Sequence, residues 1–238
     1  MRLPILMYHK VDRIPAGVRY PGNYVLPEQF ETQLAALGRW GYETVSFADW
    51  LAYRCSGRPL PRRPIILTFD DGYRSTYEVA WPLLRRYGFT ATVFLVSDLI
   101  GETNAWDAQE IQEPLLGRPE IAEMQAAGIA FGSHGRTHVA LTTVPVERAA
   151  TELAGSRAAL EALLHGPVEV VCYPYGKQNA SVRMQARLAG YRAAVIARHR
   201  MNSTATDVFR LRRLRVDHRM PLDRLEWQLF RLRWLAWA

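Results

Sequence analysis

Four side chains in two short segments have the types and spacing of an open catalytic metal site. Asp70 and Asp71 stand side by side in Ile65-Ile66-Leu67-Thr68-Phe69-Asp70-Asp71-Gly72, and His134 and His138 stand four apart in Phe131-Gly132-Ser133-His134-Gly135-Arg136-Thr137-His138. One carboxylate with two imidazoles is a ligand set that leaves a position for water. The second carboxylate is then free to act as the base that activates that water. Adjacent carboxylates also repel unless a cation or a proton lies nearby, which points the same way. Each segment has a plainer reading: Asp-Gly turns with solvated acids are common, and two histidines four apart occur on surfaces and in cores. The chain has only 6 His, and two of them fall in one glycine-flanked segment, which favours the metal.

Both segments end apolar runs, so the elements around them decide whether the four groups can meet. Pro64 to Phe69 is short, β-branched and bounded by proline and glycine, the signature of a buried strand. Gly128 to Ser133 reads the same way. Further strands are expected at about residues 3–9, 44–46, 90–96, 168–172 and 193–196. Helices are expected at 27–40, 47–53, 75–87, 121–127, 145–164 and 183–189, with Gly101 to Gly117 an inserted loop. Strands alternating with helices imply α/β architecture with a parallel sheet, and this many units favour a barrel over an open sheet. Every candidate site residue then falls at a strand's C-terminal end, the catalytic face of such folds.

Thr68-Phe69-Asp70-Asp71-Gly72, Ser133-His134-Gly135-Arg136-Thr137-His138 and Tyr173-Pro174-Tyr175-Gly176 together resemble three successive motifs of the polysaccharide deacetylases, the NodB-homology carbohydrate esterases of family 4. The resemblance runs from about Leu3 to Met220. It implies a distorted (β/α) barrel with about seven parallel strands. It implies Asp70 as general base, and Asp71, His134 and His138 as ligands of a divalent metal, most often Zn²⁺. It also places a backbone N–H of Tyr175 at the oxyanion. The implied reaction removes N-acetyl groups from N-acetylhexosamine residues of a polysaccharide or oligosaccharide.

Two departures matter. The usual C-terminal Leu-x-His that supplies the acid has no clean copy. Leu3-Pro4-Ile5-Leu6-Met7-Tyr8-His9 instead resembles the opening of the circularly permuted branch that deacetylates poly-N-acetylglucosamine, so His9 is the expected acid, with His218 the alternative. The arginine that orients the catalytic Asp is replaced by Cys172, and Arg213 is a candidate tether. Asn104 and Trp106 resemble a substrate-side element of that branch. Tyr8, Trp106, Tyr173 and Tyr175 are candidates for stacking on sugar faces, against ordinary core packing. Cys172 has no His/Asn partner pattern that would suggest thiol catalysis.

At 238 residues one catalytic domain spanning 1–238 is expected. No run of 18 apolar residues is present, so no membrane span is expected. With only 2 Cys, a disulfide framework is not expected. Residues 1–4 carry no secretory signal pattern; the sequence as written suggests a cytoplasmic protein, or an extracytoplasmic one if a leader precedes it. The net charge of +7 allows an anionic partner, but no nucleic-acid motif accompanies it. Residues 225–238, rich in Trp and Arg, read either as a closing helix or as an amphipathic helix on a membrane surface. Two other functions compete: a deacetylase or deformylase of a lipid-linked sugar or other amide, and a non-catalytic polysaccharide-binding module.

Overall fold

The structure is a computed structural model describing residues 1–198 and 200–234. Six parallel strands, β1 (Ile5–Tyr8), β2 (Pro64–Phe69), β3 (Thr92–Leu95), β4 (Ala130–Ser133), β5 (Val170–Cys172) and β6 (Ala193–Ile196), are hydrogen-bonded in chain order. Two short strands, β7 (Leu211–Arg212) and β8 (Leu214–Arg215), lie end to end. β7 pairs with β6 and β8 pairs with β1, both in parallel. They are the halves of one stave broken at Arg213, so seven staves nearly close a barrel. This last stave has no counterpart among the expected elements. Its two-residue halves are set between arginines and show no apolar run.

The strands form because their residues bury both faces. All six residues of β2 are buried, as continuous apolar runs in parallel sheets require. Alternation along each strand then divides the core in two. Ile5, Ile66, Phe94, Val170, Cys172, Val195 and Leu211 form the inner cluster, with Phe47, Trp50 and Leu51 packed into it. Those last three come from helix α2 (Phe47–Ser56), after α1 (Pro27–Arg39). The entry of α2 is set by a reciprocal cap: Ser46 Oγ accepts from Asp49 N–H at 3.0 Å, and the Asp49 carboxylate accepts from Ser46 N–H at 3.0 Å. Trp50 is fully buried, and truncating it would cost about 3–5 kcal/mol.

The opposite strand faces, including Leu6, Tyr8, Leu67, Phe69, Val93, Val171 and Tyr173, pack outward in the second cluster. Helices cover them: α1, α3 (Trp81–Arg86, entered through a π turn at Thr76–Ala80), α4 (Arg118–Ala126), α5 (Val146–Leu164), α6 (Ala180–Leu188) and α7 (Leu222–Trp234). Within α7, Leu225 and Leu229 are buried, whereas Trp227 and Phe230 are more than half exposed. Residues 235–238, the end of the Trp/Arg-rich segment, lie outside the described residues. No helix among the described residues is long and apolar enough to cross a membrane.

Candidate active site

Strand alternation brings the first acid inward. Ile66 faces the barrel interior, so Thr68 and Asp70 follow it to the same side. Asp71 then takes φ 74° and Gly72 φ 75°. A Cβ on Gly72 would stand 2.9 Å from Leu95 Cδ2, so this turn needs glycine there. The left-handed pair lets two adjacent carboxylates meet different partners.

Asp70 is gripped by Arg213, with Nη1 donating to Oδ1 at 2.6 Å and Nη2 to Oδ2 at 2.7 Å. The guanidinium comes from the break in the seventh stave and is 1% exposed. It also donates to Thr68 Oγ1 at 3.1 Å and reaches Cys172 Sγ at 3.1 Å. Burial pushes the Asp70 carboxyl up, and the Arg213 charge outweighs it, so the net shift is downward. Asp70 is therefore ionised and fixed in orientation.

Asp71 Oδ1 lies 3.2 Å from His134 Nε2 and 3.3 Å from His138 Nε2. His134 Nδ1 is 2.7 Å from the Cys172 carbonyl, an oxygen that can only accept, so Nδ1 carries a proton and Nε2 is the nitrogen turned towards Asp71. Burial lowers the His134 pKa, but Cys172 and Asp71 outweigh it and hold the ring well above the usual imidazole range, so a positive charge, a proton or a metal ion, belongs between Nε2 and Asp71. Burial opposes the Asp71 charge, yet the two imidazoles hold its carboxyl well below the usual range. A tetrahedral ion with bonds of about 2.1 Å has donors about 3.4 Å apart, close to the two spacings at Asp71. The donor set therefore fits a divalent ion. Asp70, His134 and Cys172 also place donor atoms within 4.8 Å of one another, but Arg213 already occupies that corner with a positive charge.

The histidine loop is held from behind. Glu152 of α5 is 1% exposed and accepts from Arg136 N–H and Thr137 N–H, each at 2.9 Å, and from Thr137 Oγ1 at 2.9 Å. Sequence reasoning missed Glu152; its signal was an acid on the buried face of α5 beside Ala149, Leu153 and Ser156. It also missed Lys10. This ammonium is buried, 4.5 Å from the Tyr24 ring centroid and 4.2 Å from that of Tyr73, and pairs with Glu113 of the 101–117 loop.

Asp70, Asp71, His134, His138, Arg213 and Lys10 line a cavity of about 380 Å³ that also includes His9, Trp106 and Tyr175. His9 follows β1, and its Nδ1 is buried with no hydrogen-bond partner among the described residues. His218 is not in this lining; its Nδ1 lies 2.8 Å from the Pro21 carbonyl. Trp106 and Tyr175 flank His138, with ring centroids at 4.5 and 4.6 Å. Tyr175 has φ 58°, a left-handed conformation that persists at functional sites when the surroundings enforce it.

The structure places three of the sugar-contact candidates differently from one another. Tyr8 is fully buried in the outer cluster, stacked on Phe69 at 5.3 Å, and its hydroxyl donates to Gln33 Oε1 at 3.0 Å. It faces the helices because Phe69, its partner in register, does. Tyr173 is also fully buried and packs in the outer cluster, yet it borders the catalytic cavity. Asn104 borders the cavity, but its amide braces the loop, Nδ2 donating to Ile111 O at 3.1 Å and Oδ1 accepting from Glu113 N–H at 2.7 Å.

Comparison with known proteins gives consistent matches. The family model described as polysaccharide deacetylase matches residues 57–194. The chain is 27% identical to the YxkH protein of Bacillus subtilis over 216 residues, 91% of this chain and 72% of that one. It is 28% identical over 140 residues to the poly-beta-1,6-N-acetyl-D-glucosamine N-deacetylase of Staphylococcus epidermidis, 54% of this chain and 46% of the relative, so it spans under half of that protein. Among solved structures, the Streptococcus pyogenes deacetylase PplD in complex with acetate superposes with TM-score 0.84 at 25% identity, covering 96% of this chain and 98% of that one. The Ammonifex degensii IcaB structure, at 22% identity over 96% of this chain and 97% of its own, has TM-score 0.82 and shares the fold.

Proposed function

This chain belongs to the polysaccharide deacetylase family, and from that premise we propose that residues 1–238 form one catalytic domain that hydrolyses N-acetyl groups of N-acetylhexosamine residues in a polysaccharide or oligosaccharide. The observation that carries the reading is the convergence of Asp71, His134 and His138 beside an ionised, Arg-held Asp70. A poly-N-acetylglucosamine deacetylase among the relatives supports the substrate class.

Asp71, His134 and His138 would hold a divalent metal, with Zn²⁺ the ion that this nitrogen and oxygen set favours. When bound, it supplies Lewis acidity and makes water more acidic. Asp70 takes the proton from the water that adds to the acetamide carbon, and Arg213 keeps the accepting oxygen oriented. The Tyr175 backbone N–H donates to the carbonyl oxygen as it gains charge. The C–N bond breaks as His9 gives a proton to the departing amine, leaving acetate and a hexosamine residue with a free amine. Trp106 and Tyr175 offer ring faces for the sugar.

The test is metal content together with acetate release from N-acetylglucosamine oligomers. The purified protein should hold near-stoichiometric metal, and a chelator should stop acetate release. Asp71→Asn and His134→Ala should lose metal and activity together. Asp70→Asn should retain metal and lose about 10²–10⁴-fold in kcat. Loss of metal in Asp70→Asn would mean that the two acids have exchanged roles, and absence of metal after reconstitution would favour a non-catalytic binding module.

A further inference from the structure

A second cavity of about 520 Å³ opens beside the first and shares Met7, Ala197, Arg213 and Arg215 with it. Its character differs. Arg215, Arg219 and Arg224 border it, and Asp217 is the sole acid there. The arginines converge. A Cβ built on Gly22 would stand 3.3 Å from both Arg215 Nη2 and Arg219 Nη2, so the two guanidinium nitrogens lie no more than twice that apart. Asp217 pairs with Arg219 at 2.9 Å. Arg215 Nη2 bonds only neutral oxygens, Gly22 O and Asn23 Oδ1. Arg224 makes no ion pair among the described residues. Arg213 is already neutralised by Asp70. The lining therefore carries about two uncompensated positive charges.

A second feature marks the cavity as polar. Gln228 of α7 borders it, is 7% exposed, and its Oε1 is buried with no hydrogen-bond partner among the described residues. A buried amide oxygen left unpaired costs about 1–3 kcal/mol, and a hydroxyl or protonated ligand oxygen would satisfy it. The catalytic cavity carries Asp107 and Glu110 as well, with Lys10 among them, so the excess of positive charge belongs to the second cavity.

We propose that the second cavity is a subsite for an anionic group, a phosphate ester or a carboxylate, carried by the substrate beside the N-acetylated sugar. Forked guanidiniums suit either group through paired N–H donors. This inference rests on the deacetylase reading and narrows its substrate class.

The test compares kcat/KM for acetate release from three matched oligosaccharides: a neutral N-acetylglucosamine oligomer, one with a uronic acid beside the acetylated residue, and one with a phosphate ester there. One anionic oligomer should exceed the neutral one by about tenfold or more, and the advantage should shrink as salt rises. The uronic acid and phosphate arms tell the two sources apart. The double variant Arg219→Gln/Arg224→Gln should reduce the anionic-to-neutral ratio several-fold, with the change in KM. Equal ratios in wild type, or an unchanged ratio in the variant, overturn the subsite. Titration calorimetry with inorganic phosphate reads the site without turnover. Wild type should bind and the double variant should bind weakly; equal binding by both, or none by wild type, also overturns it. Phosphate binding that depends on these arginines, with no acetate from any oligomer, would keep the subsite and overturn the deacetylase reading.

Discussion

At the scale of residues, the two adjacent carboxylates are separated by their partners. Asp70 and Asp71 are adjacent in the chain, yet one is paired with a guanidinium and the other faces two imidazoles. Lys10 is a further buried charge near the cavity, and its titration has a definite sign. Burial lowers it from 10.5 to about 8, so the folded protein binds this proton less tightly than the unfolded chain does. Between those values the unfolded chain carries more of the proton, and stability rises with pH. The contribution of Lys10 should be smallest below pH 8 and grow by about 1–2 kcal/mol by pH 9.5. Thermal midpoints of wild type and Lys10→Met, measured side by side from pH 7 to 9.5, should diverge in favour of wild type as pH rises. A difference that stays flat would show that Lys10 titrates normally. Nothing in the sequence around Lys10 signals this, because its partners Tyr24, Tyr73 and Glu113 lie 14 to 103 positions away.

At the scale of elements, pleat parity decides which side chains enter the site, and it explains what could be read from sequence. Asp70, Asp71, His134 and His138 were legible because each follows a recognisable apolar strand and because residue type alone limits their chemistry. Parity also sets where Tyr8 lies, outside the cavity lining. Thr68 and Asp70 point in, so Phe69 points out and takes Tyr8 with it through register. Met7 and His9, on the other parity of β1, line the cavity. The seventh stave was not legible, since Arg213 interrupts it and its pairing with β6 and β1 is wholly non-local. The same geometry supports the proposal that β1 supplies the acid. His9 at the end of β1 borders the cavity, whereas His218, beyond β8, bonds the Pro21 carbonyl away from it. His9→Ala should lower kcat by about 10²–10⁴-fold, and His218→Ala should leave it within a few-fold. The reverse ranking, measured on one N-acetylated oligomer at saturating substrate, would assign the acid to the C-terminal segment.

For the whole molecule, the proposed metal acts as a cross-link as well as a reagent. Its three donors come from the ends of β2 and β4, which are separated in the ring by β3. In the unfolded chain Asp71 and His134 are far apart along the sequence and present no site. Binding to the folded state alone stabilises it by mass action, about 4 kcal/mol when free metal is a thousandfold above its Kd. For a domain of this size each kcal/mol moves Tm by about 2–4 °C. Removing the metal with a chelator should therefore lower Tm by about 8–16 °C, and adding zinc back should restore it. Asp71→Asn should melt near the chelated wild type and ignore both treatments. The barrel should survive chelation with its far-ultraviolet circular dichroism intact, because its seven staves and two apolar clusters are built without the ion. If wild type melts at the same temperature with and without chelator while metal analysis shows the ion removed, the three donors are not coupled to the fold through a common ion. The site would then be a hydrogen-bonded cluster sharing a proton.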